Sequence, residues 1–153
     1  MARSAPLNYV AATALAIFLW VVTGIFVGNY LSEEVALRAF TVERFLFLYR
    51  VVSAAIAGIG LLSCYYWFYY GGREETAADL DRARRVWFGL IVGMFGFAAG
   101  GMGTMVVIFR TETFLLMQYA IFFLVMSVHT YIVFWICTLL FSPRTVEFVP
   151  VGK

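Results

Sequence analysis

One histidine, two cysteines and three prolines are all that 153 residues contain of those three types. Each shortage excludes something. With His129 alone, a haem held by two histidines of this chain is impossible. A haem here would need a methionine as its other ligand, from among Met94, Met102, Met105 and Met117, or a ligand from another chain. A metal site of several histidines and acids is equally absent. Cys64 and Cys137 stand in separate apolar runs, form no C-x-x-C or Cys/His cluster, and read as small packing residues that carry no message about redox compartment. No repeat, low-complexity tract or Pro/Ser-rich linker divides the chain, so a single domain over residues 1–153 is expected.

Charge is scarce too. Asp, Glu, Lys and Arg make up 13% of the residues, and the net charge of +2 is scattered, which argues against nucleic acid as a partner. No acid lies inside any long apolar run, so the intramembrane carboxylate of a proton- or sodium-driven carrier is missing. Nucleophile elbow, P-loop, dinucleotide fingerprint and metalloprotease motif are all lacking, and no residue is assigned a catalytic role.

What the chain has is apolar length. Hydrophobic residues make up 63% and aromatics 19%, against about 45–50% apolar residues in soluble domains. The chain reads as an all-α integral membrane protein with four transmembrane helices in an antiparallel bundle. The first span, 8–30, carries no charge and is long enough for about 30 Å of hydrocarbon. It is too long for a signal-peptide core and no clear cleavage site follows, so a retained helix is expected. The second span is 45–70, the third 86–109 and the fourth 114–141. Between the first two, Ser32 with Glu33 and Glu34 predicts a short helix start, and Glu34 with Arg38 and Glu43 with Arg50 are candidate pairs. Tyr65 to Tyr70 is a run of six aromatics suited to a membrane–water interface. Gly71 and Gly72 break the helix, Thr76 to Asp79 resembles a capping box for the next, and residues 110–113 predict a tight hairpin. The tail from Arg144 is expected to lie extended on the surface or on a partner.

Lysine and arginine give the orientation. Arg3, Arg73, Arg82, Arg84, Arg85, Arg144 and Lys153 fall on the side of the N-terminus, against Arg38, Arg44, Arg50 and Arg110 on the other, seven to four. The positive-inside rule then puts both termini in the cytoplasm, with a bacterial inner membrane as the expected setting.

The third span holds the pattern around which the rest is organised. Gly89, Gly93, Gly96, Gly100 and Gly103 recur at spacings of four, three, four and three. At about 100° per residue they fall within roughly 80° of one another, which strips one edge of the helix of side chains. Ser53, Ala57, Gly60 and Cys64 form a second small stripe of the same phase on the second span. Lipid tails are as apolar as leucine, so close packing has to hold such helices together, and the two stripes are expected to meet. On that expectation Gly96→Leu separates the pair and a change at Leu90 does little. The rival reading leaves the glycine groove open to a lipid tail, quinone, pigment or haem. Gly24-x-x-x-Gly28 marks a smaller contact face on the first span.

His129 lies near the middle of the fourth span, where an ionisable side chain is expensive and therefore a candidate for function. It reads as a neutral residue bonded to a neighbouring helix, as a ligand to haem or another metal, or as a proton relay or quinone contact. The wheel places it roughly 160° from Ser127, on the side opposite a face of Ala120, Ser127, Phe134 and Thr138, whose small and hydroxyl groups suit an internal contact. If that face turns inward, His129 looks outward toward a partner or cofactor. The function expected is a non-catalytic subunit of a larger membrane complex, of the oxidoreductase or other energy-converting kind, with membrane lipids and other membrane subunits as partners. Two alternatives stand beside it: an electron-transfer subunit that binds haem, quinone or pigment through His129, and a small homo-oligomeric transporter or channel. The sequence requires no cofactor, though it leaves room for a structural lipid.

Overall fold

The computed structural model describes residues 6–34, 42–71, 73, 79–108, 116–142 and 149. Nearly all of these lie in four helices: α1 (Pro6–Glu34), α2 (Val42–Gly71), α3 (Leu80–Ile108) and α4 (Leu116–Phe141). All four are long and apolar enough to cross a membrane. Each contains its predicted span almost entire. The pairing of Glu34 with Arg38, a role for Thr76 and the 110–113 hairpin fall outside the described residues.

Local chemistry differs from expectation at two ends. Ser32 does not start a helix; it sits in the last turn of α1, where its hydroxyl donates to the Asn29 carbonyl at 2.8 Å. Asp79, expected as the closing acid of a capping box that begins at Thr76, is itself the cap of α3. Its Oδ1 accepts from the Arg82 amide at 2.9 Å and its carbonyl from the Ala83 amide at 3.1 Å, which satisfies donors that the first turn would otherwise leave free. Glu43 and Arg50 are both exposed, and neither forms an ion pair among the described residues. Among the described residues the one ion pair joins Arg84 Nη1 to Asp81 Oδ1 at 3.4 Å, on the exposed start of α3.

The helices occupy the corners of a diamond. α2 and α4 touch across its short diagonal, and each also packs against α1 and α3, which sit at the far corners without substantial contact with each other. Because the inner pair is flanked on two sides, α4 is the most enclosed helix and α1 and α3 the most open.

Small residues set the spacings. On α1, Ala12, Ala16, Gly24 and Gly28 are buried, each a multiple of four residues from the last. A Cβ on Gly28 would stand 3.2 Å from the Tyr49 ring, so this end of the Gly24-x-x-x-Gly28 face makes a close contact while Gly24 has open space. The α2 stripe of Ser53, Ala57, Gly60 and Cys64 is buried throughout. Its partners are not the glycines of α3, however. Gly60 meets Thr130 of α4, with Cγ2 3.1 Å from where a Cβ would be. Cys64 lies in the same buried cluster as Cys137, also on α4. Ser53 accepts a hydrogen bond from Trp20 Nε1 of α1 at 3.1 Å.

Indole N–H groups tie the helices in the same manner elsewhere. Trp67 Nε1 of α2 donates to Ser142 Oγ, just beyond α4, at 2.7 Å, and Trp87 Nε1 of α3 donates to Thr138 Oγ1 of α4 at 3.2 Å. In an apolar medium such interhelical bonds contribute about 0.6 kcal/mol on average and about 1.7 kcal/mol at most. Thr138→Val keeps the shape and strands the buried Trp87 N–H. A loss near the top of that range is expected in an SDS-unfolding titration, and Ser53→Ala, beside the half-buried Trp20, should lose less.

One end of the diamond is an aromatic cluster. The Asn8 amide donates to the Phe141 carbonyl at 3.2 Å, Tyr9 packs edge-on against Tyr65 and Phe68, the hydroxyls of Thr13 and Tyr65 are bonded to each other, and Trp87 lies 5.7 Å from Phe134. The beginning of α1, the end of α2, the beginning of α3 and the end of α4 thus meet here. Val149 is buried in the same cluster, so the tail returns to the core at that residue instead of lying wholly on the surface.

Candidate functional site

Two features of the bundle bear on function, at opposite corners. The first is the α3 glycine edge. The core face of α3 is made by Ala83, Trp87, Ile91, Met94 and Ala98. At about 100° per residue this face is centred roughly 180° from the glycine stripe. A Cβ added at Gly89, Gly93, Gly96, Gly100 or Gly103 would meet nothing within 4 Å. The expectation that this stripe packs on Ser53, Ala57, Gly60 and Cys64 is therefore wrong within the chain: the two stripes do not touch. α3 instead approaches α2 through Gly101, one residue out of phase, where a Cβ would come 2.5 Å from Ile56 Cδ1 and 3.2 Å from Val52 Cγ1. The reason lies in the diamond. α3 has two neighbours, both on the side of its bulky face, and its glycines look out from an outer corner. Phe88 and Phe97 stand exposed on either side of the bare strip, while Phe95, also exposed, lies nearer the core face and stacks on Tyr131 of α4.

The second feature is His129. It is 5% exposed, not outward-facing, and Nδ1 lies 3.5 Å from Thr23 Oγ1 of α1. Ser127, Thr130, Val133, Phe134, Cys137 and Thr138 are buried as well. The two sides of α4 that the wheel sets about 160° apart are thus both covered. Lodged between three helices, α4 turns outward, among its described side chains, Ala120, Leu124, Val128, Ile132, Trp135 and the Leu139–Leu140 end. The side of His129 faces α1, the Gly60 contact faces α2, and the Thr138–Phe134 side faces Trp87 of α3.

Beside His129, α1 and α4 part to leave an apolar groove of about 300 Å³ lined by Leu19, Thr23, Leu124, Val125, Val128, His129 and Ile132. A smaller recess of about 150 Å³ lies between α1 and α2 near Trp20 and Ala57. Of the candidate methionines, Met94 and Met102 belong to α3, on the far side of the bundle from the α1 face of His129; the side chains of Met105 and Met117 lie outside the described residues. Among the described residues no group of three or more His, Cys, Asp or Glu comes together to hold a metal.

Thr23, Trp20 and Gly101 are the residues that sequence reasoning passed over. Thr23 and Trp20 gave one signal, a hydroxyl and an indole N–H deep in a charge-free span. Gly101 gave another, as half of a Gly-Gly pair at which the glycine run changes phase. The chain matches no protein-family model, no curated protein and no solved structure.

Proposed function

We propose that this chain is a non-catalytic integral membrane subunit that seats a transmembrane helix of another subunit along the glycine edge of α3. The observation that carries the reading is that five glycines lie opposite the helix's own core face with open space before each of them. Nothing among the described residues requires a hydrogen side chain at those positions. Lipid tails do not require one either, since leucine or alanine serves as well against hydrocarbon. A helix that presses backbone to backbone does. From Gly89 to Gly103 the bare strip runs about 21 Å at 1.5 Å per residue. That is most of the roughly 30 Å hydrocarbon thickness, so the matching object is rod-shaped and spans the bilayer. The phenylalanines at its margins supply the walls.

In this proposal the bundle is antiparallel with both termini cytoplasmic. The meeting of the α1 start with the α4 end through Asn8 and Phe141 supports the first point, and the seven-to-four count of basic residues supports the second.

The test is purification from its native membrane in a mild detergent, wild type beside a Gly93→Leu/Gly96→Leu variant. The expected result is one or more membrane chains that accompany the wild type and are lost from the variant, while the unfolding midpoint of the isolated chain stays the same. A partner complex that tolerates both leucines would overturn the proposal, as would a wild-type chain that comes out as a lone monomer. A second copy of this chain in the partner's place would appear as a dimer of one polypeptide, and would move the reading to the homo-oligomeric alternative.

A further inference from the structure

We propose a second site at the opposite corner: the α1–α4 groove binds a lipid-soluble molecule that carries a hydroxyl on a small apolar ring, with His129 accepting its hydrogen bond. The Thr23 hydroxyl lies 2.9 Å from the Leu19 carbonyl and 3.1 Å from that of Trp20, so its hydrogen is committed to its own helix. Toward His129, at 3.5 Å, Thr23 therefore acts as acceptor and Nδ1–H as donor. In the neutral ring that leaves Nε2 with a bare lone pair, and Nε2 is buried without a hydrogen-bond partner among the described residues. A buried acceptor left unmade costs about 1–3 kcal/mol, which a donor from a ligand would restore.

The surroundings say what sort of donor. A stable buried water needs two to four polar partners, and beside Thr23 and the imidazole the groove offers only Leu19, Leu124, Val125, Val128 and Ile132. A molecule with one hydroxyl and an otherwise hydrocarbon surface fits better. The groove measures about 300 Å³, roughly twice a cavity that accepts benzene, so a substituted ring fits and a large macrocycle does not. Leu124, Val128 and Ile132 are outward-facing, so entry is lateral, from the hydrocarbon itself. Nε2 is covered in the empty groove, so binding includes a turn of the ring about χ2, a broad torsion for histidine, which gives up the long 3.5 Å contact of Nδ1 with Thr23 for a shorter hydrogen bond to the ligand.

His129 is the chain's single histidine, which makes the test specific. Protein labelled with ¹⁵N-histidine, carrying no histidine tag and held in lipid nanodiscs, reports from this imidazole alone. The probes are 2,6-dimethylphenol and 1,3-dimethylbenzene, which differ by the hydroxyl. The expected result is a saturable shift of the Nε2 resonance with the phenol and none with the hydrocarbon. Val128→Trp, which fills the groove from its outer wall, should abolish the shift at unchanged helical content; Leu124→Trp closes it from the neighbouring position and serves if the first variant does not fold. Equal responses to both probes, a response that never saturates, or a shift that survives a filled groove would each overturn the assignment. None of these outcomes touches the glycine edge of α3, so this site and the partner-docking reading stand or fall separately.

Discussion

Replacing Gly101 with leucine lowers the stability of the isolated bundle by about 3 kcal/mol or more, whereas Gly96→Leu, five residues earlier on the same helix, leaves it within about 0.5 kcal/mol. A single Cβ at Gly101 already needs space held by Ile56 Cδ1 at 2.5 Å and Val52 Cγ1 at 3.2 Å. Alanine can be met by a rotamer change of the flexible Ile56 end. Leucine adds three further carbons and has to move α3 away from α2. At Gly96 the same side chain enters open space, and leucine is the better helix former, so the midpoint holds or rises slightly. Reversible unfolding in mixed detergent and SDS, followed by circular dichroism, measures both. The pair of variants separates glycines that hold the chain together from glycines that serve something outside it. If Gly96→Leu proved the more damaging in the isolated chain, the outward placement of the stripe would be wrong.

That contrast also shows what a sequence of this kind discloses. The four spans were legible because insertion is decided segment by segment, and charge-free runs of adequate length announce themselves. Which face of a span turns inward was not legible for α3, because core and lipid ask for the same apolar side chains and leave no amphipathic signal between them. A small-residue stripe says that something comes close without saying what, and the run Ala98-Ala-Gly-Gly-Met-Gly103 contains both kinds of glycine one residue apart. The α2 stripe is buried, but its partner was misassigned because neighbours in sequence were expected to share their smallest faces, while the diamond gives that contact to α4. His129 failed in another way. The wheel separated it correctly from Ser127, but the step from there to an outward histidine assumed that one face alone is covered. For α4, wedged among three helices, both are.

Trp67→Ala is expected to be the most destabilising truncation in the aromatic end cluster, at about 3 kcal/mol, the lower edge of the usual range for a buried aromatic. Trp67 is the largest of the side chains that are fully buried, at 0% exposure. In water its loss would combine a transfer term with a cavity term. In a micelle or bilayer the unfolded chain stays in apolar surroundings, so the transfer term shrinks and lost packing dominates. Trp67→Phe keeps most of that packing and gives up the 2.7 Å bond to Ser142, so it should lose about 1 kcal/mol. Ser142→Ala should lose a similar amount, because it strands a buried indole N–H, and the double variant should lose less than the two singles together, as groups that share one bond do. If Trp67→Ala proved no worse than Trp67→Phe, packing would not be what Trp67 contributes. The consequence reaches α3. Ala83, Trp87 and Ile91 hold its first half to this same cluster, so loosening the cluster tilts the glycine edge and should weaken partner retention even though Trp67 lies nowhere near it.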